Sequence, residues 1–297
     1  MSAPGTTNYG TAAHDGSRPP ATHVTPNSGP RLDPLARRNR ALRIVLPIAI
    51  GILTIVAWDL IVRINNIPHY ILPGPLLVAK SLVDNWGTLL PALMVTLQIT
   101  FMALTVAVVG GVGLALLFAQ SKWIEISLFP YAVVLQVTPI IAIAPLILIY
   151  VDNTHIALLI CAWIVAFFPI LSNTTLGLNS ADHNLLNLFQ LYGASRWQVL
   201  RYLRIPSALP YFLGGLRIAG GLSLIGAVVA EFTAGTAGKG SGLAYRILES
   251  GYRLNIPLMF AALLLITSTG IVIFLFFTAV SHFSLRKWHE SAMKRES

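Results

Sequence analysis

Residues 89–118 read LLPALMVTLQITFMALTVAVVGGVGLALLF and contain no charged side chain. A helix needs roughly 20 apolar residues to cross the hydrocarbon core of a bilayer, which is about 30 Å thick. This stretch is therefore long enough to span a membrane. Because small residues let helices approach closely in lipid, Gly110, Gly111 and Gly113 predict helix packing here rather than a binding loop.

Five other apolar runs accompany this stretch, and the chain is 55% apolar and only 10% charged. Soluble domains carry about 25% charged residues, so a soluble fold is excluded. We predict an all-α integral membrane protein with about six transmembrane helices, at 44–64, 89–118, 128–150, 156–178, 209–232 and 257–283. The third span is interrupted by Pro139 and Pro145, short turns flank it at 120–127 and 151–155, and an amphipathic segment begins after Pro75.

The formal charge of +9 does not indicate a nucleic-acid partner, because the basic residues lie beside the apolar runs. Six spans place both termini on one side of the membrane. Most of the basic residues share that side, which the positive-inside rule makes cytoplasmic. They are the arginines of 37–43, Lys122, the arginines of 196–204 and the C-terminal cluster, against Arg63, Lys80, Lys239, Arg246 and Arg253 on the outer side.

The predicted organisation is a disordered cytoplasmic tail at 1–36, a transmembrane domain at 37–290 and a cytoplasmic tail at 291–297. The stretch GTAGKGSG at 235–242 lacks two fixed positions of a phosphate-binding loop and lies on the predicted outer face, so we do not expect it to bind ATP. Cys161 is the only cysteine, and the seven histidines are scattered without ligand spacing, so no metal site is predicted.

The most informative polar interval is 179–209, which reads NSADHNLLNLFQLYGASRWQVLRYLRIPSAL. Its apolar residues repeat at helical spacing up to Gly193, and a second helical pattern follows until Pro206 and Pro210 stop it. The sequence therefore predicts two short amphipathic helices joined at a glycine bend. Such an apolar, aromatic surface flanked by arginines suits the groove of a partner protein. The alternative is a segment that lies on the bilayer surface.

This segment resembles the cytoplasmic loop of ABC importer permeases, whose pattern is E-A-A-x-x-x-G, nine residues and I-x-L-P. Gly193 takes the glycine position, residues 194–202 give the spacing, and Leu203-Arg204-Ile205-Pro206 follows. Asn187-Leu188-Phe189 replaces the acidic-Ala-Ala triplet. Three further stretches are similar to the nitrate/sulfonate/taurine-type branch: ILPGP at 71–75, VVAEF and GSGLAYRI within 228–247, and IPLMFAALLLI at 256–266.

The resemblance implies a type I importer permease in the bacterial cytoplasmic (inner) membrane that moves a small, anionic or polar organic solute inward. The implied partners are a cytoplasmic ABC ATPase dimer, an extracytoplasmic solute-binding protein and a second permease copy, most simply as a homodimer. No cofactor is expected on the chain itself, since ATP and magnesium belong to the ATPase. The implied coupling helix, which receives the motion of the ATPase, comprises Leu191, Tyr192, Gly193, Ala194, Ser195, Arg196 and Trp197.

Polar groups inside the spans are the other candidates for function. Glu231 is an ionisable residue near the outer end of the fifth span, where water or Lys239 would satisfy it. We expect a structural or gating role for it in preference to direct contact with solute. Gln136, Thr138 and Asn173 either line the translocation pathway or form hydrogen bonds between helices.

Two other classes of membrane protein remain alternatives. A secondary transporter requires carboxylates within the membrane and inverted repeats, whereas only Asp59 and Glu231 lie in or near spans and no internal repeat is evident. A membrane enzyme requires a nucleophile with a base, or a metal cluster, at membrane depth. No span contains a histidine with a suitable partner, and His282 stands alone at a cytoplasmic end.

Overall fold

A computed structural model describes residues 34–235 and 241–286, and within these ranges every regular element is helical. Residues 1–33 of the predicted N-terminal tail, Lys239 and the predicted tail at 291–297 lie outside the described residues. The helices are α1 (Pro34–Ile64), α2 (Pro75–Asp84), α3 (Trp86–Gln120), α4 (Lys122–Val137), α5 (Ile140–Tyr150), α6 (Thr154–Leu178), α7 (His183–Leu191), α8 (Arg196–Val199), α9 (Ile205–Ala234), α10 (Leu243–Tyr252) and α11 (Ile256–Leu285). A π-helical turn at Leu200–Arg204 joins α8 to α9.

Five of the predicted spans are confirmed by length and apolar composition. The stretches that qualify among the described residues are Val45–Ile64, Trp86–Gln120, Thr154–Leu178, Arg196–Ala234 and Ile256–Leu285. Local chemistry sets their ends. The Asn153 side chain accepts a hydrogen bond from the amide of Ile156 at the start of α6, and Asn255 does the same for Leu258 at the start of α11.

The predicted third span consists of two helices, α4 and α5, which meet at a bend of 98°. Pro139 lacks an amide hydrogen and disfavours helical geometry at Thr138, so the break at this proline is confirmed. The predicted interruption at Pro145 is wrong, because α5 continues through it to Tyr150. The predicted turn at 120–127 is also wrong beyond Ser121, since α4 begins at Lys122.

The prolines at 206 and 210 do not stop the helix that precedes them, contrary to the prediction. Pro206 directly follows the π-helical turn, whose last bond joins the Ile205 amide to the Leu200 carbonyl, and Pro210 is accommodated inside α9. The π-helical turn keeps the chain helical from Arg196 to Ala234. The polar interval that follows was not predicted to contain a helix, yet it contains α10.

The core forms where α6 packs between α3 and α9. Small residues make this packing possible. A β-carbon added at Gly111 of α3 would lie 2.8 Å from Ile170, and one added at Gly177 of α6 would lie 2.7 Å from Ala208 of α9. The packing role predicted for the glycines of α3 is thus confirmed for Gly111.

Candidate functional site

The 179–209 segment is built around Gly193. The Asp182 carboxylate caps α7 by accepting a hydrogen bond from the Asn184 amide at 2.7 Å. At the other end of α7 the chain turns through Gly193, whose φ of 67° lies in the left-handed region that favours glycine. The amide of Ala194 donates to the Phe189 carbonyl at 2.9 Å, which closes the turn.

A capping box starts the helix after the bend. The Ser195 hydroxyl accepts from the Gln198 amide at 3.3 Å, and the Gln198 side chain accepts from the Ser195 amide at 2.7 Å. These two reciprocal bonds fix the direction in which α8 leaves the turn. Two short helices joined at a glycine bend are therefore confirmed, with the second continuing into α9.

The surface of this segment that points away from the helical core is apolar, and no other described residue covers it. Leu191 is 85% exposed, Tyr192 is 83% exposed and Trp197 is 61% exposed. On the opposite surface, which faces the rest of the protein, Leu200 and Leu203 are buried. Contiguous exposed apolar side chains of this size mark an interaction surface.

The segment is anchored to the end of α3. The guanidinium of Arg204 donates to the Ala119 carbonyl at 3.0 Å. A cavity of about 490 Å³ lies between the segment and the α3–α4 junction, and its lining includes the cations Lys122, Arg196 and Arg204. Lys122 is paired with Glu125 at 2.9 Å.

Glu231 lies in a buried polar cluster and not at a water-exposed end of the span, while Lys239, the other partner expected for it, lies outside the described residues. The side chain is 3% exposed. One carboxylate oxygen accepts from the Thr96 hydroxyl at 2.8 Å, and the other accepts from the Ala244 amide at 3.0 Å. Thr96 also accepts from the Leu243 amide at 2.9 Å. Glu231 thus joins α9 to α3 and to the first turn of α10.

The structure does not bring the other predicted pathway residues together with Glu231. Gln136 is exposed near the end of α4, and the Thr138 hydroxyl donates to the Val134 carbonyl at the bend. Asn173 lies on α6, where its amide donates to the Pro169 carbonyl and its β-carbon lies against Gly215 of α9. Within the described residues no hydrogen bond links these side chains to one another.

Residues 107–287 match the family of binding-protein-dependent transport system inner membrane components. The chain belongs to this family of ABC transporter permeases. It is 30% identical to a probable ABC transporter permease of Haemophilus influenzae, over 78% of this chain and 94% of that protein. It is 32% identical to the riboflavin transport system permease RibX of Chloroflexus aurantiacus, over 73% and 80%.

The branch suggested by the sequence is also confirmed. The permease is 26% identical to the taurine transport system permease TauC of Escherichia coli, over 82% of this chain and 90% of that protein. Nitrate import and aliphatic sulfonates permeases are also relatives. A crystal structure of an amino acid ABC transporter with histidines shares the fold, with a TM-score of 0.57 and 21% identity over 70% of this chain and 97% of that one. None of these likenesses favours a secondary transporter.

The sequence alone did not identify two candidate functional residues of the permease, Thr96 and Arg217. Thr96 had no local signal, since its partner Glu231 is 135 positions away. Arg217 did have a local sequence signal, because it is a charged residue inside the predicted fifth span, 209–232. An ionisable residue within a span is a candidate functional residue in its own right.

Proposed function

We propose that the permease is the transmembrane subunit of an ATP-driven importer that moves a small, anionic or polar organic solute inward across the bacterial inner membrane. Membership of the family supports the importer assignment. The solute class is supported by the names of relatives, which refer to riboflavin, nitrate, aliphatic sulfonates and taurine. The chain itself would bind no nucleotide, because ATP and magnesium are used by the partner ATPase.

The exposed loop between α7 and α8 is the observation that carries this proposal. In our proposal Leu191, Tyr192 and Trp197 fill a groove on a cytoplasmic ABC ATPase, while Gly193, Ala194 and Ser195 shape the turn. Arg196 adds a charge-assisted contact. Aromatic and arginine side chains dominate the energetics of protein interfaces, and this loop presents both types uncovered.

Motion of the ATPase would reach the membrane through the helix that follows the loop. The chain is helical from Arg196 to Ala234, so a displacement of the loop moves the cytoplasmic end of α9 directly. Arg204 is bonded to Ala119, so the end of α3 is drawn into the same motion. Closure of an ATPase dimer around ATP would thereby shift the population between inward-open and outward-open states.

The solute pathway would form between two copies of the permease, with a solute-binding protein docked on the outer side. We place Gln136 and Thr138 on this pathway because they lie at the bend, where a broken helix frees backbone groups to meet a polar solute. Asn173 and Glu231 face neighbouring helices, so they would shape or gate the pathway rather than line it.

Reconstitution of the complete complex tests this function. The permease and its ATPase are incorporated into liposomes loaded with ATP and magnesium, with the ATPase facing the lumen. The loaded binding protein, added outside, should stimulate ATP hydrolysis in the lumen, and solute should move from the medium into the lumen, which is the import direction. With the ATPase outside, solute should move from lumen to medium at the expense of external ATP, provided the binding protein is enclosed. Solute movement driven by an ion gradient without ATP would refute the proposal.

A further inference from the structure

Arg217 carries a positive charge well inside α9. It lies twelve residues after Ile205, the first residue of α9, and seventeen before Ala234, the last. At about 1.5 Å per residue these separations are about 18 Å and about 26 Å along the helix. An arginine side chain near a helix end can reach the bilayer surface, but one at this depth remains within the membrane.

No acidic side chain neutralises this arginine in the part of the chain that the structure describes. The four ion pairs there join Arg63 to Asp59, Lys122 to Glu125, and both Arg246 and Arg253 to Glu249. The guanidinium of Arg217 instead lies 5.6 Å from the centre of the Phe274 ring of α11. An aromatic face attracts a cation but does not supply a counter-charge.

The surface beside Arg217 is open and smooth. Gly214 and Gly221, three residues before it and four after it, share its face of α9. A β-carbon added at either glycine would meet nothing within 4 Å. The side chain of Arg217 is itself exposed. Open space therefore lies beside the guanidinium along this face of α9.

We propose that Arg217 binds the anionic group of the solute, a carboxylate, sulfonate or nitrate, as it passes through the membrane. The planar guanidinium offers two parallel donors that match the oxygens of such a group. The glycines let the rest of the solute approach the helix. This inference rests on the proposed import function and specifies its solute as an anion.

A phospholipid phosphate is the competing anion for this arginine. The depth of Arg217 argues against it, since the phosphate of a lipid lies in the headgroup region and not at mid-span. The test therefore uses full-length permease in nanodiscs of either phosphatidylcholine or phosphatidylglycerol. The probes are the sodium salts of nitrate, ethanesulfonate and benzoate, each compared with the same concentration of sodium chloride.

At least one probe should raise the thermal unfolding midpoint of the wild-type permease in both lipids. In Arg217→Gln the concentration for half of this rise should increase about tenfold or more, because a charge-assisted pair is lost. Arg217→Lys should retain part of the response, which keeps the test valid if the glutamine variant does not fold. Arg201→Gln is the matched control: Arg201 is an exposed arginine of the same continuous helix, 6.0 Å from the Tyr202 ring, and its loss should leave the response unchanged.

Three outcomes would overturn the inference: no response to any probe in wild type, an equal response in Arg217→Gln, or stabilisation by phosphatidylglycerol alone that Arg217→Gln abolishes. None of them depends on the ATPase or on the binding protein. ATP-driven transport by the reconstituted complex is measured separately, so failure of this anion site and failure of the import function give different results.

Discussion

Glu231 shows how one buried carboxylate can hold three helices in place. Its two oxygens accept hydrogen bonds from Thr96 of α3 and from the Ala244 amide of α10, and Thr96 in turn accepts from the Leu243 amide. Both amides belong to the first turn of α10, which has no intrahelical acceptors for them. A carboxylate at this position also interacts favourably with the helix dipole. Glu231 is therefore a positioning residue for α10.

Glu231→Gln tests this role while keeping the shape of the side chain. If the glutamine oxygen accepts from the Ala244 amide, its amino group faces the Thr96 hydroxyl, which can then donate only to the Ala92 carbonyl, 3.2 Å away. We expect a loss of about 1–3 kcal/mol in stability, because hydrogen bonds to a buried carboxylate are replaced by weaker neutral ones. Solute uptake should fall, whereas the ATPase should remain bound because its proposed docking loop precedes the opposite end of α9.

Glu249→Gln is the matched control for this prediction. Glu249 pairs with Arg246 at 2.8 Å and Arg253 at 2.9 Å near the surface of α10. Removal of such partly exposed pairs should change stability by about 1 kcal/mol or less. Both variants are compared by thermal unfolding and by solute uptake in the complete complex. Wild-type values for Glu231→Gln in both assays would show that Glu231 does not position α10.

Gly242→Ala probes the same cluster from the loop. Gly242 has a negative φ of −86°, so an alanine there has no backbone strain. Its methyl group, however, would overlap the Glu231 carboxylate. We expect a loss of about 1–3 kcal/mol from overpacking, measured as a lower unfolding midpoint. Gly87→Ala, in the first turn of α3 where nothing lies within 4 Å, should be neutral or slightly stabilising. Equal midpoints for the two variants would contradict the close contact.

Residue-scale features differ in how much of them the sequence reveals. The role of Gly193 can be predicted from the sequence, because a glycine between two helical patterns indicates a local bend. The Thr96–Glu231 pair cannot be predicted in this way, because nothing in the sequence around Thr96 indicates a partner 135 residues away. Long-range polar contacts require the packing of α3 against α9, which helical periodicity alone does not specify.

At the scale of helices, the 179–209 segment was predictable in its bend but not in its continuity. Periodicity and Gly193 predict two helices, and both are present. The stop expected at Pro206 failed because the chain continues helically through the π-helical turn Leu200–Arg204, which lies directly before this proline. The same ambiguity explains the third span: Pro139 breaks it and Pro145 does not.

Gly193→Val should uncouple the loop by straining its backbone. A β-branched residue in the left-handed region costs about 1–2 kcal/mol. Nothing lies within 4 Å of a β-carbon added at Gly193, so steric overlap does not contribute. We expect reduced ATPase co-purification, or an ATPase that binds but no longer hydrolyses ATP in response to loaded binding protein. Gly193→Asn is the control, since asparagine tolerates positive φ, and it should behave nearly as wild type. Identical behaviour of the two variants would contradict a strained turn.

Trp197→Ala removes exposed aromatic area from the same loop. An aromatic anchor at an interface typically contributes 2 kcal/mol or more, roughly a thirtyfold change in affinity. We expect weaker ATPase binding, measured by co-purification and by titration of the ATPase onto permease in nanodiscs. Trp86→Ala removes an exposed tryptophan at the start of α3, outside the loop, and should leave ATPase binding intact. Equal ATPase affinity in both variants would remove Trp197 from the docking surface.

At the scale of the whole molecule, one contact bears on the number of spans. The bent pair α4–α5 either crosses the membrane once or returns to the side from which it entered. Arg204, which precedes α9, is bonded to Ala119 near the end of α3. The end of α3 and the start of α9 therefore lie at the same membrane face. Because α6 crosses once between them, the bent pair must cross as well, which gives six spans.

Cysteine labelling in intact cells tests this topology and its orientation together. Cys161 is buried in α6, so the native thiol should give little background. A membrane-impermeant maleimide added from outside should label Tyr70→Cys and Tyr252→Cys, which lie at exposed positions after α1 and at the end of α10. Leu191→Cys, in the exposed loop, should be labelled only after the membrane is permeabilised. If the bent pair were re-entrant, Leu191 would be labelled from outside and Tyr252 would not. If six spans were present in the reverse orientation, only Leu191 would be labelled, and the side assigned from the arginines would be wrong.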